Sequence, residues 1–297
     1  MSKITVTGSL GNIGSYLVTD LVALGHEVTV VSSRQERTAA IEAAGAKAAI
    51  AAIDDVVALS KAFADADAVF AMTPPNLGGS NVVENTINAG RAIAKAIELS
   101  GVRRVVMLSS TGADHASGTG PIVALHHIET LYRQLPEVEF TFLRAGYFYT
   151  NFYNDIPMVQ QAGIMGANYP DNVALPLVHP KDIAAAAVRE LQQDKTGKDI
   201  VYIVSDVLTP LEYTTILAEA IGREELPWVV FRDEQSLSGM LQAGMPESLA
   251  QLYTEMGQGI RTHKLMDHFE ATGAPVSGAT KFREFAKEWA LKYTEIQ

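Results

Sequence analysis

The first residues able to do chemistry are three glycines, Gly8, Gly11 and Gly14, spaced G-x-x-G-x-x-G. Ile4 and Val6 before them favour a strand. From Ile13 onward the apolar residues recur at helical spacing, with Ile13, Leu17, Leu21 and Leu24 on one face and Gly25 as the stop. A strand that turns sharply into a helix leaves the first N–H groups of the helix unpaired. Those donors, with the positive end of the helix dipole, bind phosphate, and glycine lets the backbone approach the anion closely. The stretch reads as a dinucleotide-binding loop rather than as chance glycines in a glycine-rich chain.

Two further groups fall where such a nucleotide would extend. The next predicted strand ends in Ser32-Ser33-Arg34, with Arg37 one turn on and no Asp or Glu at the strand end. An acidic residue there pairs with the ribose hydroxyls of NAD, whereas arginine and small polar residues accept the 2′-phosphate of NADP. Two hydroxyls and a guanidinium favour NADP(H); the alternative is a pair of solvated arginines at a helix start. Met72-Thr73-Pro74-Pro75 then offers a stiff wall for the pyrophosphate or the nicotinamide ribose, or else a plain loop.

The elements that must position these groups alternate regularly. Strands are predicted over 26–31, 48–53, 68–72, 104–109 and 139–143. Helices are predicted over 35–44, 55–64, 81–99 and 122–135. Apolar strands separated by helices of ten or more residues predict an α/β fold, a doubly wound parallel sheet covered on both faces, with ligands at the carboxyl ends of its strands. The pattern changes after about residue 145. Residues 1–150 are read as the nucleotide-binding domain and 151–297 as a smaller, mostly helical substrate lobe, with a return segment at 176–206. Helices are predicted near 211–221, 234–243, 246–257 and 280–293, and Asp182 is expected to cap another running to Leu191.

Composition limits the partners. A length of 297 residues with 47% hydrophobic and 19% charged residues gives ample material for a core. The net charge of −11 argues against sequence-independent nucleic-acid binding, which runs on lysine and arginine. With no cysteine, disulfides, thiolate metal sites and a cysteine nucleophile are excluded. The seven histidines are too scattered to predict a metal site. No leader and no membrane span are expected, so a cytoplasmic protein is anticipated, and the sequence leaves a homodimer open.

Thr7-Gly8-x-x-Gly11-x-x-Gly14 and Val105-Val-Met-Leu-Ser-Ser-Thr-Gly112 resemble the short-chain dehydrogenase/reductase superfamily. Ile128-Glu129, Phe140-Thr-Phe-Leu-Arg-Ala-Gly-Tyr-Phe148, Val178-His-Pro-Lys-Asp-Ile-Ala184, and Ala271-Thr-Gly-Ala-Pro-Val276 with Phe282 and Phe285 narrow the resemblance to its atypical NmrA-like branch. The resemblance implies a Rossmann-type protein preferring NADP(H), either a reductase of quinone-like acceptors or a cofactor-sensing regulator that works through a protein partner. By position in the motif, Gly8, Leu10, Gly11, Asn12 and Ile13 hold the pyrophosphate. Ser33 and Arg34, beside Ser32, hold the 2′-phosphate. Met72, Thr73 and Pro74 line the ribose, and Ser109 joins the cofactor set.

The chain departs from the superfamily at its acid/base pair: none of the ten tyrosines has a lysine four residues on. Reduction of an acceptor that needs little help with its proton is the chemistry left open, with nearness of donor and acceptor supplying up to about 7–11 kcal/mol. His126 and His127, on the predicted helix 122–135, can orient the acceptor or donate a proton, or can simply be surface histidines. Ser110 can hydrogen-bond the acceptor or cap its strand. Tyr147, Phe148 and Phe152 offer flat faces for a planar small-molecule acceptor, against the alternative of core packing.

Overall fold

The computed structural model describes residues 1–74, 80–193 and 198–295, so Pro75 of the expected wall lies outside the described residues. The chain forms two compact units. The first comprises Met1–Ser109, Ala124–Arg144 and Ile183–Val201; the second comprises Ser110–Val123, Ala145–Asp182 and Tyr202–Gln297.

The first unit is built on alternating strands and helices. In order these are β1 (Lys3–Val6), α1 (Gly14–Ala23), β2 (Glu27–Ser32), α2 (Thr38–Ala43), β3 (Lys47–Ile50), α3 (Val56–Phe63), β4 (Ala68–Ala71), α4 (Val82–Ser100), β5 (Arg104–Ser110), α5 (Val123–Tyr132) and β6 (Glu139–Ala145). With β10 (Lys198–Ile203) they give, among the described residues, a seven-stranded sheet of order β10-β6-β5-β4-β1-β2-β3. The pairings β1–β2, β1–β4, β2–β3 and β4–β5 are parallel. The strand order reverses between β1 and β4, which opens a crevice at their carboxyl ends. The glycine loop and Met72–Pro74 leave from those two ends. Val31, Phe63, Val69, Ile93, Ile97, Val105, Ile128, Tyr132, Phe140 and Phe142 share one core, as expected of a sheet covered by helices.

Sequence and structure differ locally for identifiable reasons. Helix α1 ends at Ala23, so Leu24 is 56% exposed, and Val18 joins Leu17 and Leu21 on the buried face. The helix expected over 35–44 is a 3-10 turn, Gln35–Arg37, leading into the six-residue α2. Asp182 is not a cap. It sits in the first turn of α7 (Pro180–Leu191), where its carboxylate accepts hydrogen bonds from Ser205 Oγ (2.6 Å), Thr280 N (3.0 Å) and Thr280 Oγ1 (3.1 Å). The backbone N–H of Lys181 is taken instead by His179 Nδ1 at 3.0 Å.

The second unit adds short strands that hydrophobic alternation could not reveal, because they run only two to four residues: β7 (Tyr147–Phe148), β8 (Met165–Ala167), β9 (Leu175–Val178), β11 (Asp206–Leu208) and β12 (Trp228–Val230). They form the sheets β11-β9-β7 and β12-β8. Helices α6 (Ile156–Ala162), α8 (Pro210–Ala220), α9 (Asp233–Gln242), α10 (Glu247–Arg261), α11 (Asp267–Ala271) and α12 (Phe282–Glu295) make up most of the rest. The core of this unit is aromatic: Tyr149, Phe152, Tyr213, Phe282, Phe285 and Trp289 are each at most 2% exposed. A polar latch closes it, with Asp206 Oδ2 accepting from Tyr149 OH and Phe282 N, both at 2.7 Å.

Candidate functional site

The end of β1 is clamped to the end of β4. Thr7 N donates to Phe70 O (3.0 Å), Thr7 Oγ1 donates to Met72 O (3.0 Å), and Met72 N donates back to Thr7 Oγ1 (2.7 Å). Ser9 N donates to Val31 O at 3.2 Å, which ties the loop to β2 as well. Between these ties Gly8 adopts φ +92°, a conformation side chains resist, and a Cβ there would lie 2.0 Å from Met72 Cε. A Cβ on Gly14 would lie 2.0 Å from Ser9 O, so the first turn of α1 closes directly onto the loop.

That turn is open to an anion. No side chain caps it, its first turn carries no acidic residue, and Gly11 and Asn12 are exposed while Ile13 is buried as the anchor. Among the described residues Ser9 Oγ is buried without a hydrogen-bond partner. Unpaired backbone donors, a helix dipole and an unsatisfied hydroxyl fit a diphosphate.

At the end of β2, Ser32 is buried and its hydroxyl is consumed locally. It accepts from Arg34 N (3.2 Å) and donates to Arg34 O (3.3 Å), closing the turn that presents the next residues. Ser33, Arg34 and Arg37 are exposed, and among the described residues no carboxylate pairs with Arg34. Met72 and Thr73 are half-buried and Pro74 is exposed.

Ser109, expected beside the cofactor, has its hydroxyl 2.6 Å from Glu129 Oε1. Glu129 in turn receives Arg144 through two bonds, Nε to Oε1 at 3.0 Å and Nη2 to Oε2 at 2.9 Å. All three residues are 3% exposed, so α5 is bolted to the ends of β5 and β6 by a buried, hydrogen-bonded ion pair. Glu129 and Arg144 were legible as motif residues, but a pairing across fifteen positions leaves no local pattern.

The remaining candidates are divided between the two units. Ser110 is half-buried, with its carbonyl accepting from Ala113 N at 3.2 Å. His127 is exposed and lines a groove of about 290 Å³ with Glu84, Ile87 and Arg91 of α4 and with Thr130, Leu131 and Gln134. It stands two residues before Glu129, which at about 100° per residue turns it to the far side of α5 from Ser109. His126 is half-buried, its ring edge-on to His127 at 5.6 Å. Phe152 lies in the second unit. It is packed between Tyr213 (4.9 Å) and Phe282 (5.0 Å) in the core of the second unit and presents no face to a ligand. Tyr147 and Phe148 remain half-buried on β7.

Known proteins resemble this chain in sequence and in fold. The sequence model of the NmrA-like family matches residues 1–290. A (4-alkanoyl-5-oxo-2,5-dihydrofuran-3-yl)methyl phosphate reductase of Streptomyces griseus subsp. griseus is 28% identical over 298 residues, covering 97% of this chain and 98% of its own. Among solved structures, an NADPH-dependent quinone oxidoreductase of Escherichia coli complexed with NADPH superposes with a TM-score of 0.82 at 19% identity, over 96% of this chain and 99% of the other. The triphenylmethane reductase of Citrobacter sp. complexed with NADP(H) gives 0.76 at 20% identity, over 97% and 99%. At these identities the two structures speak for the fold.

Proposed function

The chain belongs to the NmrA-like family, and on that premise we propose that it is an NADPH-dependent reductase delivering hydride to a quinone or a similar small conjugated acceptor. The observation that carries this reading is the uncapped first turn of α1 with its orphaned Ser9 hydroxyl, next to an Arg34 that no carboxylate neutralises among the described residues. In this reading Gly8, Leu10, Gly11, Asn12 and Ile13 take the diphosphate. Ser33 and Arg34 take the 2′-phosphate, with Ser32 shaping their turn. Met72, Thr73 and Pro74 line the ribose, and the second unit receives the acceptor, with Tyr147 and Phe148 on its wall. The reductase names of the relatives support the same class of reaction.

When bound, NADPH supplies the hydride. The chain supplies position: the Thr7–Met72 clamp holds the two loops at the crevice, and the Ser109–Glu129–Arg144 bolt fixes the neighbouring strand ends. No Tyr-x-x-x-Lys pair provides a proton. A quinone tolerates this, because after gaining hydride it is a delocalised phenolate-type anion that solvent protonates. Among the described residues no helix is long and apolar enough to cross a membrane, and we assign the protein to the cytoplasm, acting on a small molecule and not on nucleic acid. The test is loss of NADPH absorbance with a panel of benzoquinones and naphthoquinones. Oxidation above the enzyme-free rate supports the reductase. Saturable NADPH binding with no turnover on any acceptor replaces it with a cofactor-binding sensor.

A further inference from the structure

The second unit holds a convergence of metal-ligating side chains that the nucleotide site does not use. Asp114 and His115 lie in the loop after β5, and Asp267 opens α11, 152 positions from His115 in sequence. His115 Nε2 stands 3.0 and 2.9 Å from the two carboxylate oxygens of Asp267 and 2.9 Å from Asp114 Oδ2. All three residues belong to the second unit. Their side chains are neither sealed off nor free in solvent: Asp114 is 18% exposed, His115 27% and Asp267 50%.

An imidazole nitrogen carries at most one proton, and here three carboxylate oxygens face the same nitrogen. With the ring neutral the cluster bears two negative charges, and among the described residues no lysine or arginine pairs with Asp267. The donors are also held in place from both sides. Ala113 N donates to Ser110 O and His115 N to Gly112 O, both at 3.2 Å, so two successive turns carry Asp114 and His115. Gly112, at φ +81°, packs against Leu265, where a Cβ would lie 3.3 Å from Cγ. On the other side Met266 and Phe269 are buried and anchor α11 around Asp267. Asp267 N donates to His263 O at 2.9 Å, and His268 N donates to Asp267 Oδ1 at 2.6 Å. The neighbouring pair His263–Glu270 is different: one contact of 3.4 Å between two exposed side chains.

We propose that Asp114, His115 and Asp267 bind one divalent transition-metal ion, Zn²⁺ by their donor set, which ties the loop after β5 to α11. The ion takes the lone pair of His115 Nε2 and an oxygen of each carboxylate, the ring keeps its proton on Nδ1, and water completes the tetrahedron. The three ligand atoms lie within 4.8 Å of one another. Bonds of about 2.0–2.1 Å to a tetrahedral ion set neighbouring ligands roughly 3.3 Å apart, so contacts now at hydrogen-bond length need open only slightly. Two carboxylates neutralise the 2+ charge. An imidazole ligand disfavours Mg²⁺, which demands an octahedron of oxygens and sheds its water reluctantly. The site does not depend on the reductase reading. Histidine spacing could not announce it, because the third ligand comes from a distant segment.

Calorimetric titration of the chelator-stripped full chain with Zn²⁺ and with Mg²⁺ tests the site, in the wild type and in His115→Ala, Asp267→Asn and His263→Ala. The wild type is expected to bind one Zn²⁺ saturably, at least about tenfold tighter than Mg²⁺. His115→Ala and Asp267→Asn are each expected to weaken Zn²⁺ binding by at least about tenfold. His263→Ala is expected to leave it within about twofold. Zn²⁺ should also raise the thermal midpoint of the wild type and not that of Asp267→Asn. One measurement needs no variant: Co²⁺ added to the wild type should show the intense visible bands of a tetrahedral ion and lose them to Zn²⁺. No saturable Zn²⁺ binding, equal affinity for Mg²⁺, an affinity unchanged by His115→Ala, an equal loss in His263→Ala, or only the faint band of octahedral Co²⁺ overturns the proposal.

Discussion

The two units of this chain make their key contacts by opposite means. In the first, the proposed binding groups are backbone donors within one short loop and the turn that follows it, and the side chains that matter are mostly absent ones: no Cβ at Gly8 or Gly14 and no acid in the first turn of α1. In the second, the contacts join side chains of distant elements, as where Asn168 donates to Asp233 and to the carbonyl of Thr254 and Asp182 receives Ser205 and Thr280. A site made of local backbone is written contiguously and can be read from spacing. A site made of distant side chains exists only once the fold has closed.

This contrast can be broken at several strengths. The largest effect is expected at the bolt between α5 and the sheet. Glu129→Ala strands Arg144 in a buried site without its partner, and denaturant unfolding should show a loss of about 3–5 kcal/mol. A loss below about 1 kcal/mol would mean that the pair contributes little to the first unit.

Asp155 gives the next largest, and with opposite sign. Its pKa in the folded chain, about 7, lies above the ordinary value of 3.8. The folded state therefore holds the proton more tightly, and the associated stability is present at low pH and lost as pH rises through about 7. Asp155→Asn should then be more stable than the wild type above pH 7, by something of order 3 kcal/mol, with the gain vanishing near pH 4. Thermal unfolding at both pH values checks this, and an equal change at both would remove the titration as its cause.

Arg34→Ala comes third. It removes a guanidinium available to a 2′-phosphate and should weaken NADPH binding about tenfold or more, leaving NADH nearly unchanged. Equal losses for the two nucleotides would take the 2′-phosphate away from this residue. The smallest effect belongs to His127, exposed in the groove along α4. His127→Ala should alter turnover less than about twofold and stability by less than about 0.5 kcal/mol.

Legibility in the sequence followed the same division. Ile13, Leu17 and Leu21 announced α1 because three buried residues repeat at helical spacing; Leu24 misled because helix ends leave no such record. Continuous apolar runs such as Ala68–Ala71, buried at every position, announced the parallel sheet. Asp182 looked like a cap from its place before an apolar helix, and only the fold brings Ser205 and Thr280 to its carboxylate. Phe152 looked like a ligand face because it sits among aromatics, and the same aromatics close over it as core. Asp155 gave no signal at all, since a lone aspartate between Asn154 and Ile156 has no pattern to betray its burial.

The central claim is that the turn into α1 and the arginine after β2 together select a phosphorylated dinucleotide. Calorimetric titration of the purified chain with NADPH and with NADH tests it most directly. The account predicts saturable binding of one nucleotide per chain, at least about tenfold tighter for NADPH. Equal affinity for the two, or no saturable binding of either, would contradict it.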